Sequence, residues 1–208
     1  MKLKELHAAM QGIQPFASPN VNLEQYPTGA DIASRMLFTV DSIYNEFQGR
    51  TVLDLGCGTG MLSIGAALLG SPHCLGLDID LDAIETAQAN VEAFEDLPVD
   101  FVRCDVSALR QQGRLQADTV IMNPPFGTRR KGADLDFLRA AFQVSCGAVY
   151  SLHKSSTRAH IKRIADKELH AASSEVLAQL RFDLPASYAF HKDKVRDIEV
   201  DLWRFEVS

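Results

Sequence analysis

Short apolar runs alternate with amphipathic stretches along most of the chain. The apolar runs, rich in β-branched residues, predict buried strands at 51–55, 74–77, 100–104, 118–122 and 148–152. Apolar residues that recur every three or four positions predict a helix at 31–47. Further helices are predicted at 61–69, 82–94 and 134–145. A basic helix is expected from Ser155 or Ser156 to about Glu168.

The order of these elements predicts a mostly parallel sheet with helices on both faces, because strand and helix alternate from 51 to about 168. Two last strands, 175–182 and 197–205, are separated only by a polar connection, which predicts one antiparallel strand. A helix at 2–11 and a loop at 14–22 precede the sheet. With no internal domain boundary visible, we expect a single domain over 1–208, with 1–30 as an N-terminal extension.

Composition favours a soluble protein inside the cell. Hydrophobic residues make up 46% of the 208 residues and charged residues 23%, no apolar run reaches the length of a membrane span, and the N-terminus lacks a signal-peptide pattern. The four cysteines form no C-x-x-C pair and have no histidine at zinc spacing, so we expect reduced, mostly buried thiols and no metal site.

Charge is distributed unevenly along the chain. The net charge is −6, yet 123–167 carries nine basic and three acidic side chains. A basic segment of this kind indicates a nucleic-acid surface, with an ordinary uneven surface as the alternative.

A glycine-rich loop follows the first strand and opens a helix. Its sequence, Asp54-Leu55-Gly56-Cys57-Gly58-Thr59-Gly60, has glycines spaced G-x-G-x-G and an acid before them. Glycines let the backbone approach a ligand closely, and the acid would repel a pyrophosphate but suit a cofactor with sulfonium and ammonium groups. We expect Cys57 to line this site without acting as a nucleophile.

Two more acids end the next two strands. Asp78 lies at the offset typical of an acid that binds a ribose, and Asp105 is placed to reach an adenine amino group. Each acid alone could instead be a helix N-cap. Together with the glycines, they predict a cofactor site at the carboxyl edge of the sheet.

The fourth strand runs directly into Asn123-Pro124-Pro125-Phe126. An exocyclic amino group is a poor nucleophile, and the Asn123 side-chain oxygen and the Pro124 carbonyl are two acceptors for its hydrogens. The prolines restrict the backbone, and Phe126 offers a face on which a flipped base can stack. We therefore predict methyl transfer to a planar amino group, with a rigid strand-exit turn as the structural alternative.

Four blocks carry a resemblance to a known family: LEQYPT (23–28), VIMNPPFGT (120–128), YSLHKSST (150–157) and LPASYAFHK (184–192). With DLGCGTG, they closely resemble the methyltransferase-like five family of class I methyltransferases over nearly the whole chain. The resemblance implies a Rossmann-like, mostly parallel seven-stranded sheet in the order 3-2-1-4-5-7-6. It also implies S-adenosylmethionine-dependent methylation of adenosine N6 in small-subunit (18S) ribosomal RNA, and a location in nucleus and cytoplasm.

The resemblance also supplies site residues. The family's catalytic tetrad falls on Asn123, Pro124, Pro125 and Phe126. The family's cofactor contacts fall on Gln25, Thr28, Gly56, Thr59, Met61, Asp78, Asp105 and Val106. The glycine-rich loop adds Asp54 and Gly58 to the expected cofactor contacts. Thr59 and Met61 stand where a known member has Cys and Val, a change that a backbone contact would survive. Tyr26 and Pro27 either join the site or plug the core. Candidate RNA-binding residues are Arg129, Arg130, Lys131, Lys154, Arg158 and Lys192.

A partner is implied as well. The family works with a small zinc-binding activator subunit of the tRNA methyltransferase 112 type, and in the expected order 100–104 is an edge strand. Phe101 and Val102 would lie on opposite faces of that poorly protected strand, so we expect the activator to pair with it. The alternative is that the helix Lys2–Gln11 covers this edge.

Three other functions remain open from the residues alone. A protein glutamine N5-methyltransferase also acts on a planar amide, although the basic segment favours RNA. A non-catalytic RNA-binding subunit with a methyltransferase fold would not need Asn123 or the intact glycines. A nicotinamide-dependent oxidoreductase is disfavoured by the glycine spacing and by Asp54.

Overall fold

A twisted sheet of seven strands forms the centre of the molecule in the computed structural model, which describes residues 1–109, 115–185 and 195–207. Short 3-10 helices lie at Val21–Leu23 and Ser155–Thr157. The helices are α1 (Leu3–Met10), α2 (Ala30–Tyr44), α3 (Met61–Leu68), α4 (Leu81–Glu92), α5 (Val106–Leu109), α6 (Ala133–Val144) and α7 (Arg158–Lys167). The strands are β1 (Thr51–Leu55), β2 (His73–Asp78), β3 (Val99–Arg103), β4 (Ala117–Met122), β5 (Ser145–Lys154), β6 (Ser173–Pro185) and β7 (Val195–Glu206).

The strand order is β3-β2-β1-β4-β5-β7-β6, as the family resemblance implied. Neighbouring pairs from β3 to β5 are parallel, and β7 is antiparallel to both β5 and β6. The prediction of one antiparallel strand in an otherwise parallel sheet is therefore confirmed. Within the described ranges, the helices lack the combination of length and apolar character needed to cross a membrane.

Alternating side chains of the buried strands fill two cores. In β4, Ile121 packs with Met36, Leu37 and Ile64 from α2 and α3, whereas its neighbour Val120 packs on the opposite face, with α6 and α7. Continuous apolar strands of this kind are what a parallel sheet covered by helices on both sides requires.

Two predicted boundaries differ from the structure. The helix predicted over 31–47 ends at Tyr44, because Asn45 adopts a left-handed conformation and its N–H donates to the Asp41 carbonyl. Phe47 nevertheless reaches the core, which explains why it fitted the helical pattern. Ser145, predicted as the last helical residue before the fifth strand, is extended and pairs with Ala117 as the first residue of β5.

The N-terminal helix does not cover the edge strand as the alternative proposed: α1 packs against α2 and α3. After it, the chain is fixed to α4 by a reciprocal pair of hydrogen bonds. The Gln14 N–H donates to Asn90 Oδ1 (2.9 Å), and Asn90 Nδ2 donates to the Gln14 carbonyl (3.0 Å). This anchor directs the following residues across the carboxyl edge of the sheet, where β1, β2, β3 and β4 end.

Candidate active site

A cavity of about 430 Å³ lies at this carboxyl edge, within the size range of small-molecule sites. All ten residues predicted to contact a cofactor line it: Gln25, Thr28, Asp54, Gly56, Gly58, Thr59, Met61, Asp78, Asp105 and Val106. Asn123 and Pro125 line the same cavity, so the structure brings the predicted cofactor loop and the predicted catalytic loop together. Tyr26 and Pro27 also belong to its wall, which places them at the site rather than in the core.

The glycine loop is held between two aromatic rings. A Cβ on Gly56 would come 2.9 Å from Phe137, and one on Gly58 would come 2.8 Å from Phe16. Both glycines also have positive φ, at 71° and 54°. The N–H groups of Gly56 and Cys57 donate to the Leu77 carbonyl of the neighbouring strand. The loop can follow this path only with glycine at these positions.

Asp54 is a buried carboxylate with one oxygen available. Oδ2 accepts a 2.6 Å hydrogen bond from the Ser63 hydroxyl, whereas Oδ1 is buried and has no hydrogen-bond partner in the described part of the chain. Burial raises the pKa of Asp54 to about 7, opposed by the Ser63 bond. A buried acceptor of this kind is stabilised by a cationic ligand group in the cavity.

Asp78 fixes the loop rather than capping a helix. Its Oδ2 accepts from the Gly58 N–H (2.9 Å) and its Oδ1 from the Asp80 N–H (2.9 Å). The cap of α4 is Asp80, which accepts from the Asp82 N–H. Asp105, in contrast, does accept from the Ser107 N–H at the start of α5, so it has both a capping bond and a place in the cavity wall.

The segment Glu24–Thr28 spans the cavity from β2 to β4. Gln25 Nε2 donates to Asp80 Oδ2 (2.6 Å), and Glu24 Oε1 accepts from the Arg129 N–H (2.8 Å) in the loop after Phe126. At its far end, Thr28 Oγ1 accepts a 2.8 Å hydrogen bond from Asn123 Nδ2. The N-terminal extension therefore supplies one wall of the site.

The Asn123 side chain has one used and one unused polar atom. Nδ2 is bonded to Thr28, and Oδ1 is buried without a hydrogen-bond partner among the residues described. Pro124 is buried behind it. The half-buried Phe126 ring meets Phe182 of β6 edge-on, with centroids 6.2 Å apart and an interplanar angle of 85°. Asn123 thus presents an acceptor oxygen, whereas Phe126 packs against the core and, unlike Asn123 and Pro125, is not part of the cavity wall.

Known proteins share both the sequence and the architecture. The methyltransferase small domain family matches residues 27–149. The rRNA N(6)-adenosine-methyltransferase METTL5 of Danio rerio is 50% identical over 206 residues, which cover 99% of this chain and 99% of that protein. The rRNA N(6)-adenosine-methyltransferase Mettl5 of Drosophila melanogaster is 46% identical over 210 residues, covering 100% of this chain and 98% of that protein. The chain belongs to the METTL5 family.

A crystal structure of a Pyrococcus horikoshii protein gives the corresponding result for the fold. It is 34% identical, covers 100% of this chain and 97% of its own, and has a TM-score of 0.83. The METTL5-family chain is therefore a class I methyltransferase with S-adenosylmethionine as its cofactor. When bound, this cofactor supplies an electrophilic methyl group on a positively charged sulfur.

The cavity fits that cofactor. Asp54 Oδ1 is the buried acceptor that a cationic group needs, and Asp78 has capacity for hydroxyl donors beyond its bonds to the Gly58 and Asp80 N–H groups. Thr59, one of the two family departures, uses its carbonyl to accept from Asn90 Nδ2 (2.9 Å). Cys57 lines the cavity, and burial raises the pKa of its thiol well above the usual range, so the thiol stays protonated.

The predicted RNA-binding residues of this METTL5-family chain fall into three groups. Arg129 and Lys131, in the loop after β4, are exposed, and Lys154, at the end of β5, is partly buried. Arg130 pairs with Asp136 and lines the cofactor cavity. Arg158 makes two bonds, of 2.7 and 2.6 Å, to the buried carboxylate of Asp201, which commits much of its guanidinium to the fold. Lys192 lies outside the described residues.

Sequence reasoning missed several residues that shape the site: Phe16, Glu24, Asn90, Phe137 and Phe182. Glu24 lay inside a recognised block, so its position was a signal that could have been used. The others act through contacts distant in sequence; Asn90, for example, is 76 positions from its partner Gln14. No local pattern marks them.

Proposed function

We propose that this METTL5-family chain transfers a methyl group from S-adenosylmethionine to N6 of adenosine in small-subunit (18S) ribosomal RNA. The observation that carries the proposal is the buried, unpartnered Oδ1 of Asn123 beside the cofactor cavity. The hydrogen of a planar amino group is a donor that such an oxygen can accept from. Full-length relatives named as rRNA N(6)-adenosine methyltransferases support adenosine as the base.

The residues of the NPPF loop then have separate tasks. Asn123 Oδ1 accepts one amino hydrogen and the Pro124 carbonyl the other, which draws the nitrogen towards tetrahedral geometry. Phe126, held edge-on by Phe182, stacks on the flipped base. The amino nitrogen forms its new bond to the methyl carbon as the sulfur–methyl bond breaks, and the nitrogen loses its proton to water. Catalysis is mainly positioning, so no strong base is required.

The path of the RNA backbone follows basic residues beside this loop, of which Arg129 and Lys131 are exposed and Lys154 is partly buried. Lys131 and Lys154 are the best candidates, together with Arg129, whose N–H ties the loop to Glu24. Five other cations of the basic segment, namely Arg130, Arg139, Arg158, Lys162 and Arg163, form ion pairs with acids. Those pairs lower the positive charge that the segment offers to phosphates.

The test is methyl transfer from labelled cofactor to total RNA and, separately, to total protein, followed by nucleoside and amino-acid analysis. With the wild-type protein, we expect label in N6-methyladenosine of small-subunit rRNA. With the Asn123→Ala variant, we expect the same product to form about a hundredfold more slowly. Label in N5-methylglutamine would support a protein substrate instead. Absence of transfer to both, by a folded chain that binds cofactor, would indicate a non-catalytic subunit.

We further propose that a small zinc-binding activator subunit pairs with the edge strand β3. We also propose that the complex acts in the nucleus and the cytoplasm. Val102 is 47% exposed, whereas Phe101 is 8% exposed and faces the core, so the two residues lie on opposite faces. Leu81, at the start of α4, is also an exposed apolar residue near this edge, because α4 packs against β3. Exposed apolar groups beside an unpaired strand favour a protein partner.

The hydrogen bonds of β3 show which groups a partner strand would use. The Cys74 N–H donates to the Pro98 carbonyl and the Cys104 N–H to the Asp78 carbonyl, so even-numbered residues of this strand face β2. The backbone groups of Phe101 and Arg103 therefore point away from the sheet. These outward groups, and not those of Val102, would bind the activator.

A further inference from the structure

The hydroxyl oxygen of Thr28 accepts a 2.8 Å hydrogen bond from the side-chain amide of Asn123, although the two residues are 95 positions apart. With Nδ2 so engaged, Oδ1 is directed elsewhere: it is buried and meets no donor among the residues that the structure covers. The bond on the nitrogen and the oxygen without a partner describe one orientation of this amide.

The opposite orientation would be unproductive. An amide rotated by half a turn would place Nδ2 where Oδ1 now lies, so that two N–H donors, from Asn123 and from the substrate, would face each other. A planar amino group needs an acceptor at that point. The rate of methyl transfer therefore depends on which polar atom of the amide faces the substrate, and in the structure the contact on the amide nitrogen is the bond to Thr28.

The segment that carries Thr28 is anchored independently of this bond, through Gln25 and Glu24. Gln25 is fixed by two 2.6 Å bonds, one from the Asn20 N–H to Oε1 and one from Nε2 to Asp80 Oδ2. Glu24 is 7% exposed and accepts from the Arg129 N–H. Because these anchors lie on either side of the cavity, the segment brings Thr28 to Asn123 as part of a fixed strap.

We infer that Thr28 is a positioning residue that orients the Asn123 carboxamide, so that Oδ1 faces the amino group to be methylated. This rests on the proposed function. It assigns to Thr28 a task separate from any contact with cofactor. The strap from Glu24 to Thr28 then links the end of β2, where the cofactor is held, to the amide that binds the substrate.

The bond itself is tested by NMR of the unliganded protein, without any measurement of activity. The Asn123 side-chain amide signals are assigned by their absence from Asn123→Asp. In Thr28→Val, which removes the acceptor at nearly constant volume, we expect these signals to shift and their hydrogens to exchange faster. Thr28→Ser, which keeps the hydroxyl, should leave them near their original positions. Unchanged signals in Thr28→Val would overturn the inference.

Its consequence is tested by a double-mutant cycle on single-turnover methyl transfer at saturating cofactor. Thr28→Val should lower the rate about tenfold, the scale of one hydrogen bond, and Thr28→Ser should restore most of it. In the Asn123→Ala background, Thr28→Val should change the rate less than twofold, because the group on which it acts is gone. Saturating cofactor keeps any loss of cofactor affinity out of the rate.

An equal tenfold loss in both backgrounds would show that Thr28 acts independently of Asn123 and would overturn the inference. The two proposals fail separately. If the wild-type protein methylates protein and not RNA, the proposed function fails, and the same cycle on that substrate still judges Thr28. If the wild type transfers no methyl group, the NMR arm alone decides.

Discussion

The hydroxyl group of Ser63 donates a hydrogen bond to Asp54 nine residues before it, joining the first turn of α3 to the end of β1. It satisfies one oxygen of a carboxylate that is 1% exposed. The other oxygen remains as an acceptor at the cavity, and burial raises the pKa of the group to about 7. Burial of this carboxyl, opposed by the Ser63 bond, makes the charge state of the cofactor site sensitive to pH near neutrality.

Cofactor affinity should therefore rise as pH rises through about 7. Below that pH the Asp54 carboxyl is protonated and neutral, and a cationic cofactor binds with release of that proton; above it, the carboxylate is already ionised. Between pH 5.5 and 7.5 we expect an increase on the order of tenfold, measured by calorimetry.

The matched control is Asp54→Asn, which keeps an acceptor for Ser63 but cannot ionise. It should bind cofactor weakly and without the pH dependence. A wild-type affinity that stays level from pH 5.5 to 7.5 would mean that Asp54 is ionised throughout or takes no part in binding.

Gly58→Ala should lower both the free energy of unfolding and the cofactor affinity. The new methyl group would lie 2.8 Å from the Phe16 ring, at a residue with φ of 54°. The left-handed conformation alone costs an L-residue about 1–2 kcal/mol. Denaturant unfolding measures the first effect and calorimetry the second.

Gly12→Ala is the control for this substitution, because nothing lies within 4 Å of its added Cβ. It should leave both quantities unchanged. Adding Phe16→Ala to Gly58→Ala should recover part of the lost stability, since it removes the ring contact and leaves the φ strain. No recovery would argue that the ring does not constrain the loop.

Arg103→Pro should abolish co-purification with the activator subunit, because it removes an outward N–H of β3. Arg103→Ala keeps that N–H while losing the same side chain, so it should co-purify normally. Val102→Pro is a less selective choice, since the Val102 N–H faces β2 within the sheet. Equal co-purification of the proline and alanine variants would place the partner elsewhere on the molecule.

Charge reversal at Lys131 and Lys154 should weaken RNA binding and reduce its salt dependence. Each phosphate contact that is lost should lower the slope of log affinity against log salt by about 0.7. Arg130 is excluded from this set because it lines the cofactor cavity. Arg35→Glu on α2, which packs against the other face of the sheet, is the control and should have no effect. An unaltered slope in the double variant would move the RNA path away from this surface.

The sequence allowed prediction of what is local. The glycine loop and the NPPF loop each follow a strand directly, two of the acids lie at the ends of β1 and β2, and the carboxyl ends of parallel strands meet at one edge. The strand order, in contrast, came from the family resemblance, because the residues alone indicate only a parallel sheet. The Phe16–Gly58 contact and the Thr28–Asn123 bond join residues distant in sequence, so only the folded chain shows them.

Helix ends were the least predictable local feature. Phe47 continues the apolar spacing of α2, yet the helix stops at Tyr44 because Asn45 adopts the left-handed conformation. Spacing reports which face is buried and cannot report where a backbone turns. The same is true of Ser145, which suits a helix end by sequence and becomes the first residue of β5 through its pairing with Ala117.

The central claim is that Asn123 Oδ1 binds the amino group of an adenosine that the chain methylates. The most direct measurement is single-turnover formation of N6-methyladenosine in small-subunit rRNA by wild type and by Asn123→Ala, each with saturating cofactor and with the activator present. We predict that the variant folds, binds cofactor with wild-type affinity and forms the product about a hundredfold more slowly. Wild-type rates from a variant lacking the amide, or no N6-methyladenosine from the wild-type protein, would contradict the account.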